Sequence, residues 1–200
     1  MLVGITGTIG SGKSVVARML GELLSATVFS SDEICRRLLE KGEAGYKKML
    51  ENWGDLYLND SREVDRPLLR KAVFADQKVR TALEDILHPL VRLELLEAKD
   101  AGGSTTIQLA EVPLLFECGW QADFDYIVCV ITDPDIALQR AVERDSVRPA
   151  EVEKIARIQL DGAFKAERSD WVIDNSGSLN ETWGQVQQLA AELRELLTLN

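Results

Sequence analysis

The sequence predicts an α/β fold in which helices cover a five-stranded parallel sheet. Two observations lead to this class: short apolar runs alternate with stretches of helical periodicity, and a glycine-rich turn directly follows the first run. The 200 residues are enough for one compact domain with a buried core. Ligands of such sheets bind beyond the carboxyl ends of the strands, so we expect the functional residues there.

The predicted elements follow one another in a simple order. Runs with strand character lie at 2–5, 26–29, 105–112, 126–132 and 171–174, with helical patterns between and after them. The segment from Glu33 to about Lys99 is rich in Leu, Arg, Glu and Lys at helical spacing, with interruptions expected at Gly42, Gly45, Gly54, Pro67 and Pro89. We interpret this segment as a helical insertion into the sheet domain.

Composition excludes several classes of partner. The formal net charge of -10 argues against binding to nucleic acid or anionic membranes, which requires a basic surface. Three widely spaced cysteines suggest neither a disulfide framework nor a zinc site. No basic leader precedes the first apolar run, and no run approaches the roughly 20 residues that span a bilayer. We expect a cytoplasmic monomer or small homo-oligomer that binds small molecules.

Residues 7–14 match the phosphate-binding pattern G-x-x-x-x-G-K-[ST] between the first strand and the first helix. Glycines allow backbone N–H groups to approach phosphate oxygens, and the helix adds the positive end of its dipole. Lys13 would reach the β- and γ-phosphates of ATP, and the Ser14 hydroxyl would help to hold Mg²⁺. The predicted nucleotide contacts at this loop are Gly10, Ser11, Gly12, Lys13, Ser14 and Val15. An incidental glycine-rich turn is the alternative, but the full match in its proper context favours phosphate binding.

The remaining motifs favour a small-molecule kinase among phosphate-loop proteins. A regulatory GTPase would carry Asn-Lys-x-Asp, which is absent from the sequence. The stretch Asp100-Ala101-Gly102-Gly103 fits a GTPase switch by letters only, because it follows a helix and precedes a strand. A kinase needs a carboxylate that accepts the hydroxyl proton and cations that cover the transferred group.

Asp32 is the candidate carboxylate, since it lies where the second strand ends, beside the expected phosphate loop. The alternative is that Asp32 only caps a helix that begins at Glu33. Both interpretations are open on position alone.

Three arginines form the candidate lid over ATP. Arg140 and Arg144 share a helix face, and Arg148 follows in a loop before Pro149. Guanidinium groups suit planar recognition of phosphate oxygens, and we also assign Arg140 to catalysis. The alternative is a solvated helix face on which the arginines pair with Glu143, Asp145, Glu151 and Glu153.

Several further segments, in order and with the phosphate loop, resemble the dephospho-CoA kinase family nearly from end to end. They are Ser31-Asp32-Glu33-Ile34-Cys35-Arg36, Asp65-Arg66-x-x-Leu69, Leu87-His88-Pro89, Val112-Pro113-Leu114-Leu115-Phe116-Glu117-x-Gly119, Arg140-x-x-x-Arg144-Asp145 and Val172-Ile173-Asp174-Asn175. The resemblance implies transfer of the γ-phosphoryl group of ATP to the 3′-hydroxyl of dephospho-CoA, with Asp32 as general base. It implies core segments 1–32, 104–139 and 166–200, an acceptor-binding insertion over about 33–103 and a lid over about 140–165.

The resemblance also implies residue roles. Acceptor contacts would come from Arg36, Arg66, His88, Pro113, Leu114 and Glu117. Asn175 would lie near the adenine of ATP. For His88 we favour a structural role at a helix entry before Pro89.

The sequence departs from the family pattern at a few positions. Ser30 replaces the usual first aspartate, which makes Glu111 a candidate replacement as a magnesium ligand. Pro149 occupies the usual position of a lid arginine, and Trp171 stands where a small residue is usual. A kinase for another nucleotide-like alcohol and a catalytically silent ATP-binding module are therefore the alternatives.

Overall fold

The structure is a computed structural model that describes residues 1–103, 105–145 and 148–199. The chain divides into two compact units, Met1–Ser30 with Ala98–Asn200 and Ser31–Glu97. The insertion was expected at about 33–103 and the lid at about 140–165. The lid range includes Ser146 and Val147, which lie outside the described residues.

The first unit contains a five-stranded parallel sheet within the described ranges, which confirms the predicted fold class. Its strands are β1 (Leu2–Thr6), β2 (Thr27–Ser30), β3 (Gln108–Glu111), β4 (Tyr126–Ile131) and β5 (Trp171–Asp174). They lie in the order β2-β3-β1-β4-β5. Glu111 at the end of β3 is level with Ile5 on one side and Ser30 on the other, so β1, β2 and β3 end at a common edge.

Helices follow most of the strands. They are α1 (Lys13–Leu24), α2 (Ser31–Leu38), α3 (Ala44–Trp53), α4 (Arg66–Ala75), α5 (Gln77–Gly102), α6 (Pro134–Asp145), α7 (Pro149–Ala156), α8 (Gly162–Glu167) and α9 (Leu179–Leu199). A short 3₁₀ helix spans Gln121–Asp123. None of the helices in the described ranges is long and apolar enough to cross a membrane.

The core of the first unit lies between the sheet and the helices α1 and α9. Each of these elements contributes apolar side chains to it, among them Val3, Ile5, Val16, Leu20, Leu109, Val128, Val130, Val186, Leu189 and Leu193. Central parallel strands are buried on both faces, which explains why β1 and β4 are nearly continuous apolar runs rather than alternating ones.

The second unit is helical, with α2, α3, α4 and most of α5. Within this unit Arg37 pairs with Glu94, and the Tyr46 hydroxyl donates to the Arg62 carbonyl at 2.7 Å. The expected interruption at Pro89 is wrong, because Pro89 lies inside α5, a continuous helix of 26 residues. An interior proline removes one backbone hydrogen bond. The apolar side chains of Ile86, Leu87, Val91 and Leu95 are buried on both sides of Pro89, and their burial favours the continuous helix.

Candidate active site

The loop of residues 7–14 joins β1 to α1, and two of its glycines are held against neighbouring elements. Gly10 has φ +76°, and an added Cβ would lie 2.0 Å from the carbonyl oxygen of Ala137 in α6. Gly12 has φ +90°, and its added Cβ would lie 2.1 Å from Nδ2 of Asn175. Only glycine satisfies both the backbone and the space at these positions. The conformation of the loop is therefore fixed by its contacts with Ala137 and Asn175.

Polar groups of the loop fit an anionic ligand. Ser11 is fully buried, and its Oγ has no hydrogen-bond partner within the described part of the chain. The Lys13 side chain is 7% exposed, and its Nζ donates to the Thr8 carbonyl at 2.8 Å. Gly12 caps α1, so the positive end of the helix dipole meets the loop. An orphan hydroxyl, an ammonium group and a helix N-terminus together suit phosphate oxygens.

Asn175, directly after β5, supports the loop from behind. Its Nδ2 donates to the Ser11 carbonyl at 2.8 Å, and its Oδ1 accepts the Thr182 hydroxyl at 2.8 Å. Arg140 Nη1 donates to the Asn175 carbonyl at 2.9 Å and to Thr132 Oγ1 at 3.3 Å. Arg140 is thus half-buried at the end of the sheet, bonded to protein groups.

Gln159 is a loop contact that sequence reasoning missed. Its Oε1 accepts the N–H of Ile9 at 2.7 Å. Gln159 lies between α7 and α8 in a stretch without any motif, so no sequence signal marks it.

Ser14 and Glu111 form the candidate magnesium site. Ser14 Oγ donates to Glu111 Oε1 at 2.8 Å, so these two oxygens meet at the common edge of β1 and β3. In the described residues no group of three or more His, Cys, Asp and Glu side chains could hold a metal ion. Mg²⁺ in nucleotide enzymes is bound by one or two protein oxygens together with phosphates and water. The pair of Ser14 and Glu111 fits that requirement.

Lys165 contacts both ends of the predicted acceptor loop at 113–117. This residue was also missed in the sequence analysis. Lys165 Nζ donates to the Pro113 carbonyl at 2.7 Å and lies 2.8 Å from Glu117 Oε1. The same Oε1 accepts the N–H of Leu160 at 2.7 Å. In the sequence Lys165 resembles a lysine on a helix surface, because charged residues surround it.

Cys129 in β4 is fully buried and lies close enough to Lys165 to be affected by its charge. Burial raises the pKa of the Cys129 thiol in β4 from 9.0 to about 11, although the ammonium groups of Lys165 and Lys13 oppose the rise. Cys129 is therefore a neutral core thiol near physiological pH.

The other predicted acceptor residues lie in the second unit. Asp32 is exposed and is the second residue of α2, so it lies inside the first turn rather than before the helix. The α2 helix thus begins at Ser31 and not at Glu33. Arg36 is one turn further, and its carbonyl accepts Arg66 Nη2 at 3.0 Å, which brings these two arginines together.

His88 is not at a helix entry, as the sequence suggested, but in the middle of α5. Burial lowers the pKa of its imidazole, although the carboxylates of Glu84 and Asp85 act in the opposite direction.

The two remaining lid candidates are both exposed. Arg144 lies in the last turn of α6, and Arg148 is the residue before α7. The exposed guanidinium of Arg144 and the half-buried one of Arg140 therefore differ in surroundings, although both lie on α6.

A parallel sheet with a phosphate loop at the end of β1, a buried lysine in that loop and a helical second unit defines a P-loop kinase. The family model for dephospho-CoA kinase matches residues 1–181. The chain belongs to the dephospho-CoA kinase family and is an ATP-dependent phosphotransferase.

Individual relatives agree with this assignment. The dephospho-CoA kinase of Desulfotalea psychrophila is 36% identical over 193 residues, which cover 96% of this chain and 97% of that protein. The crystal structure of TT1252 from Thermus thermophilus has a TM-score of 0.78 at 32% identity, over 96% of this chain and 97% of that one. The dephospho-CoA kinase from Campylobacter jejuni has a TM-score of 0.70 over 97% of both chains, and its 22% identity supports the fold alone.

Proposed function

We propose that this chain transfers the γ-phosphoryl group of ATP to the 3′-hydroxyl of dephospho-CoA, giving CoA and ADP. This is the last step of coenzyme A biosynthesis. In the reaction the hydroxyl oxygen forms a bond to the γ-phosphorus, the bond from that phosphorus to the bridging oxygen breaks, and the hydroxyl proton passes to a base. The observation that carries the proposal is the fixed phosphate loop of residues 7–14 in a chain that matches the family over residues 1–181.

The nucleotide would bind at this loop. Backbone N–H groups from Gly10 to Val15 would surround the β-phosphate, and the orphan hydroxyl of Ser11 supplies a further donor close by. Lys13 would exchange its bond to the Thr8 carbonyl for the β- and γ-phosphate oxygens. Support comes from burial of the lysine, because a weakly hydrated ammonium interacts more strongly with an anion.

Ser14 and Glu111 would hold Mg²⁺. A magnesium ion held by these two side chains would supply positive charge against the β- and γ-phosphates. The 2.8 Å contact between the two side chains supports a shared ligand position. Glu111 would then supply the carboxylate that Ser30 lacks, since the two residues are level in the sheet.

Asp32 would accept the proton of the 3′-hydroxyl. It follows Ser30, the last residue of β2, by two positions, and strand ends of this kind carry the functional groups of parallel sheets. Its place inside the first turn of α2, rather than before the helix, argues against a purely capping role.

Arginines of the second unit would bind the anionic acceptor. Arg36 and Arg66 are both exposed and lie next to each other, as recognition of acceptor phosphate groups requires. His88, Pro113, Leu114 and Glu117 would complete the acceptor contacts.

Arg140, Arg144 and Arg148 would act on the nucleotide side. Arg144 and Arg148 are both exposed, as guanidinium groups that cover the phosphates from the solvent side would be. Arg140 would approach the γ-phosphoryl group from its place beside Asn175, and Asn175 would lie near the adenine. The protein would work in the cytoplasm as a monomer or small homo-oligomer, without nucleic-acid or membrane partners.

The test is turnover with a panel of acceptors. Protein, ATP and Mg²⁺ are incubated with dephospho-CoA, AMP or pantetheine, and ADP release is measured. We expect turnover with dephospho-CoA only. Turnover with AMP or pantetheine instead would indicate a kinase for another acceptor, and ATP binding without ADP release from any acceptor would indicate a silent module.

Variants test the two central residues. Asp32→Asn should lower kcat by about a hundredfold or more if Asp32 is the base. Lys13→Ala should abolish measurable turnover through lost phosphate contacts. The matched controls are Asp60→Asn and Lys48→Ala, both exposed positions in the second unit. Normal turnover by Asp32→Asn would show that Asp32 is not the base and contributes only a negative charge at the start of α2.

A further inference from the structure

Lys165, whose buried ammonium group pairs with Glu117, has no role in the reaction described so far. Lys165 is 0% exposed and the Glu117 side chain 14% exposed. Lysine is almost never fully buried unless it is paired, because removing an ammonium group from water is costly. The partners of Lys165 are the carbonyl of Pro113 and the carboxylate of Glu117, which are the first and last residues of the proposed acceptor loop at 113–117.

The same short stretch of chain also contacts the phosphate loop. Leu160 donates its N–H to Glu117, and its neighbour Gln159 accepts the N–H of Ile9. Gly162, at the start of α8, lies beside Thr8, because a Cβ added to this glycine would be 3.6 Å from Cγ2 of Thr8. Residues 159–165 therefore contact the phosphate loop on one side and the 113–117 loop on the other.

The geometry is not that of a pair optimised for stability. Glu117 Oε2 is buried, and among the residues that the structure describes it has no hydrogen-bond partner. A buried carboxylate with one oxygen unsatisfied retains a desolvation cost, and apolar side chains of the same volume would avoid it. The pair does, however, fix both ends of the 113–117 loop through one side chain.

We propose that Lys165 is a positioning residue for phosphoryl transfer. Its ammonium group holds the 113–117 loop in the conformation that receives dephospho-CoA, and the hydrogen bond that the Leu160 N–H donates to Glu117 keeps that loop aligned with the phosphate loop. The inference rests on the proposed function, because the acceptor is assigned there. Lys165 acts through its two partners, Pro113 and Glu117, rather than on the reacting atoms.

Lys165→Met tests the proposal, since methionine keeps most of the length and the apolar stem but has no charge. We expect the KM for dephospho-CoA to rise by about tenfold or more, because small misplacements of binding groups have large kinetic effects. The Kd of MgATP, measured by calorimetry, should change by less than about threefold. The control is Arg18→Met, an exposed cation on α1 outside the proposed acceptor-binding and lid segments, which should behave as the wild type.

Hydrogen exchange gives a readout that does not depend on activity. In Lys165→Met the amides of Leu115, Cys118 and Gly119, which bond within the loop region, should exchange at least about tenfold faster, because their anchor is lost. The amides of the central strand β4 should keep their rates. Equal acceleration in β4 would show general loosening of the fold and would overturn a local positioning role.

A double variant separates positioning from stability. Lys165→Met alone leaves Glu117 charged and buried, so Tm should fall, and adding Glu117→Gln should recover much of that loss. The KM of the double variant should stay above that of Glu117→Gln alone, because the bond from Lys165 to the Pro113 carbonyl is still absent. Recovery of KM together with Tm, or an unchanged KM in Lys165→Met, would refute the proposal. Wild-type turnover of dephospho-CoA in the same assay tests the proposed function separately.

Discussion

Gly10→Ala should show how tightly the phosphate loop is fixed. Alanine at φ +76° costs about 1–2 kcal/mol in backbone strain. The new Cβ would also lie 2.0 Å from the Ala137 carbonyl, a backbone atom that moves only if α6 moves. Forcing an atom into a packed site costs about 1–3 kcal/mol. The sum is about 2–5 kcal/mol, taken from the free energy of unfolding or, if the loop shifts instead, from the binding of ATP.

The matched control is Gly103→Ala. Gly103 has φ +64°, and its added Cβ would meet nothing within 4 Å, so this variant carries the backbone strain without the collision. Urea unfolding gives the loss of stability, and calorimetry with MgATP gives the loss of affinity. For Gly10→Ala the two losses together should exceed those of the control by about 1–3 kcal/mol. Equal losses in both variants would refute the idea that α6 holds the loop.

Three further predictions concern polar groups that are buried or half-buried. Asn175→Ala removes two hydrogen bonds of a buried amide, so the free energy of unfolding by urea should fall by about 2–4 kcal/mol, and a loss below about 0.5 kcal/mol would contradict the bracing role. Burial lowers the pKa of His88 in the folded state below the ordinary value of about 6.5. Between these two pKa values the unfolded state binds more protons than the folded state, so the free energy of unfolding should fall as the pH drops from about 6.5 towards the folded-state pKa. His88→Gln should have a smaller difference in Tm between pH 7.5 and pH 5.5 than the wild type, roughly the range in which histidine titrates; an equal difference would exclude His88 as the source. The raised pKa of Cys129 predicts that iodoacetamide labels this thiol at pH near 8.5 far more slowly in the native protein than in urea, and equal rates would contradict its burial.

Much of the sheet could be predicted because its strands are short apolar runs that end in turn residues. β5 has the predicted bounds, and β1, β2 and β4 differ from the predictions by one or two residues. The third strand is shorter than predicted, since β3 begins only at Gln108. Thr105 and Thr106 have β propensity, but both neighbouring strands, β1 and β2, begin level with Gln108. Propensity has little effect beyond the point where the partner strands begin.

The α5 helix shows where local signals fail. Pro89 removes one backbone hydrogen bond, and a sequence pattern can register only that local cost. Burial of apolar residues such as Leu87 and Val91 on both sides favours a continuous helix, and this gain depends on the packing of the whole unit. The helix-entry interpretation of His88 was wrong for the same reason.

The site was predictable where a motif carries its own geometry. Glycines and lysine in residues 7–14 constrain the backbone locally, so their pattern predicts a phosphate loop. The contacts that fix this loop come from Gln159, Asn175 and Ala137, which are more than 100 residues away in sequence. The burial of Lys165 is likewise a long-range effect, because it depends on α8 packing beside Pro113. Such contacts follow from tertiary structure and leave no short pattern.

The most direct test of the account is the position of the transferred phosphoryl group. Wild-type protein is incubated with ATP, Mg²⁺ and dephospho-CoA, and the product is analysed by phosphorus NMR and mass spectrometry. We predict one new phosphomonoester on the 3′-oxygen of the ribose, formed in equal amount with ADP. ADP without a phosphorylated acceptor, or a phosphoryl group on any other hydroxyl, would contradict the account.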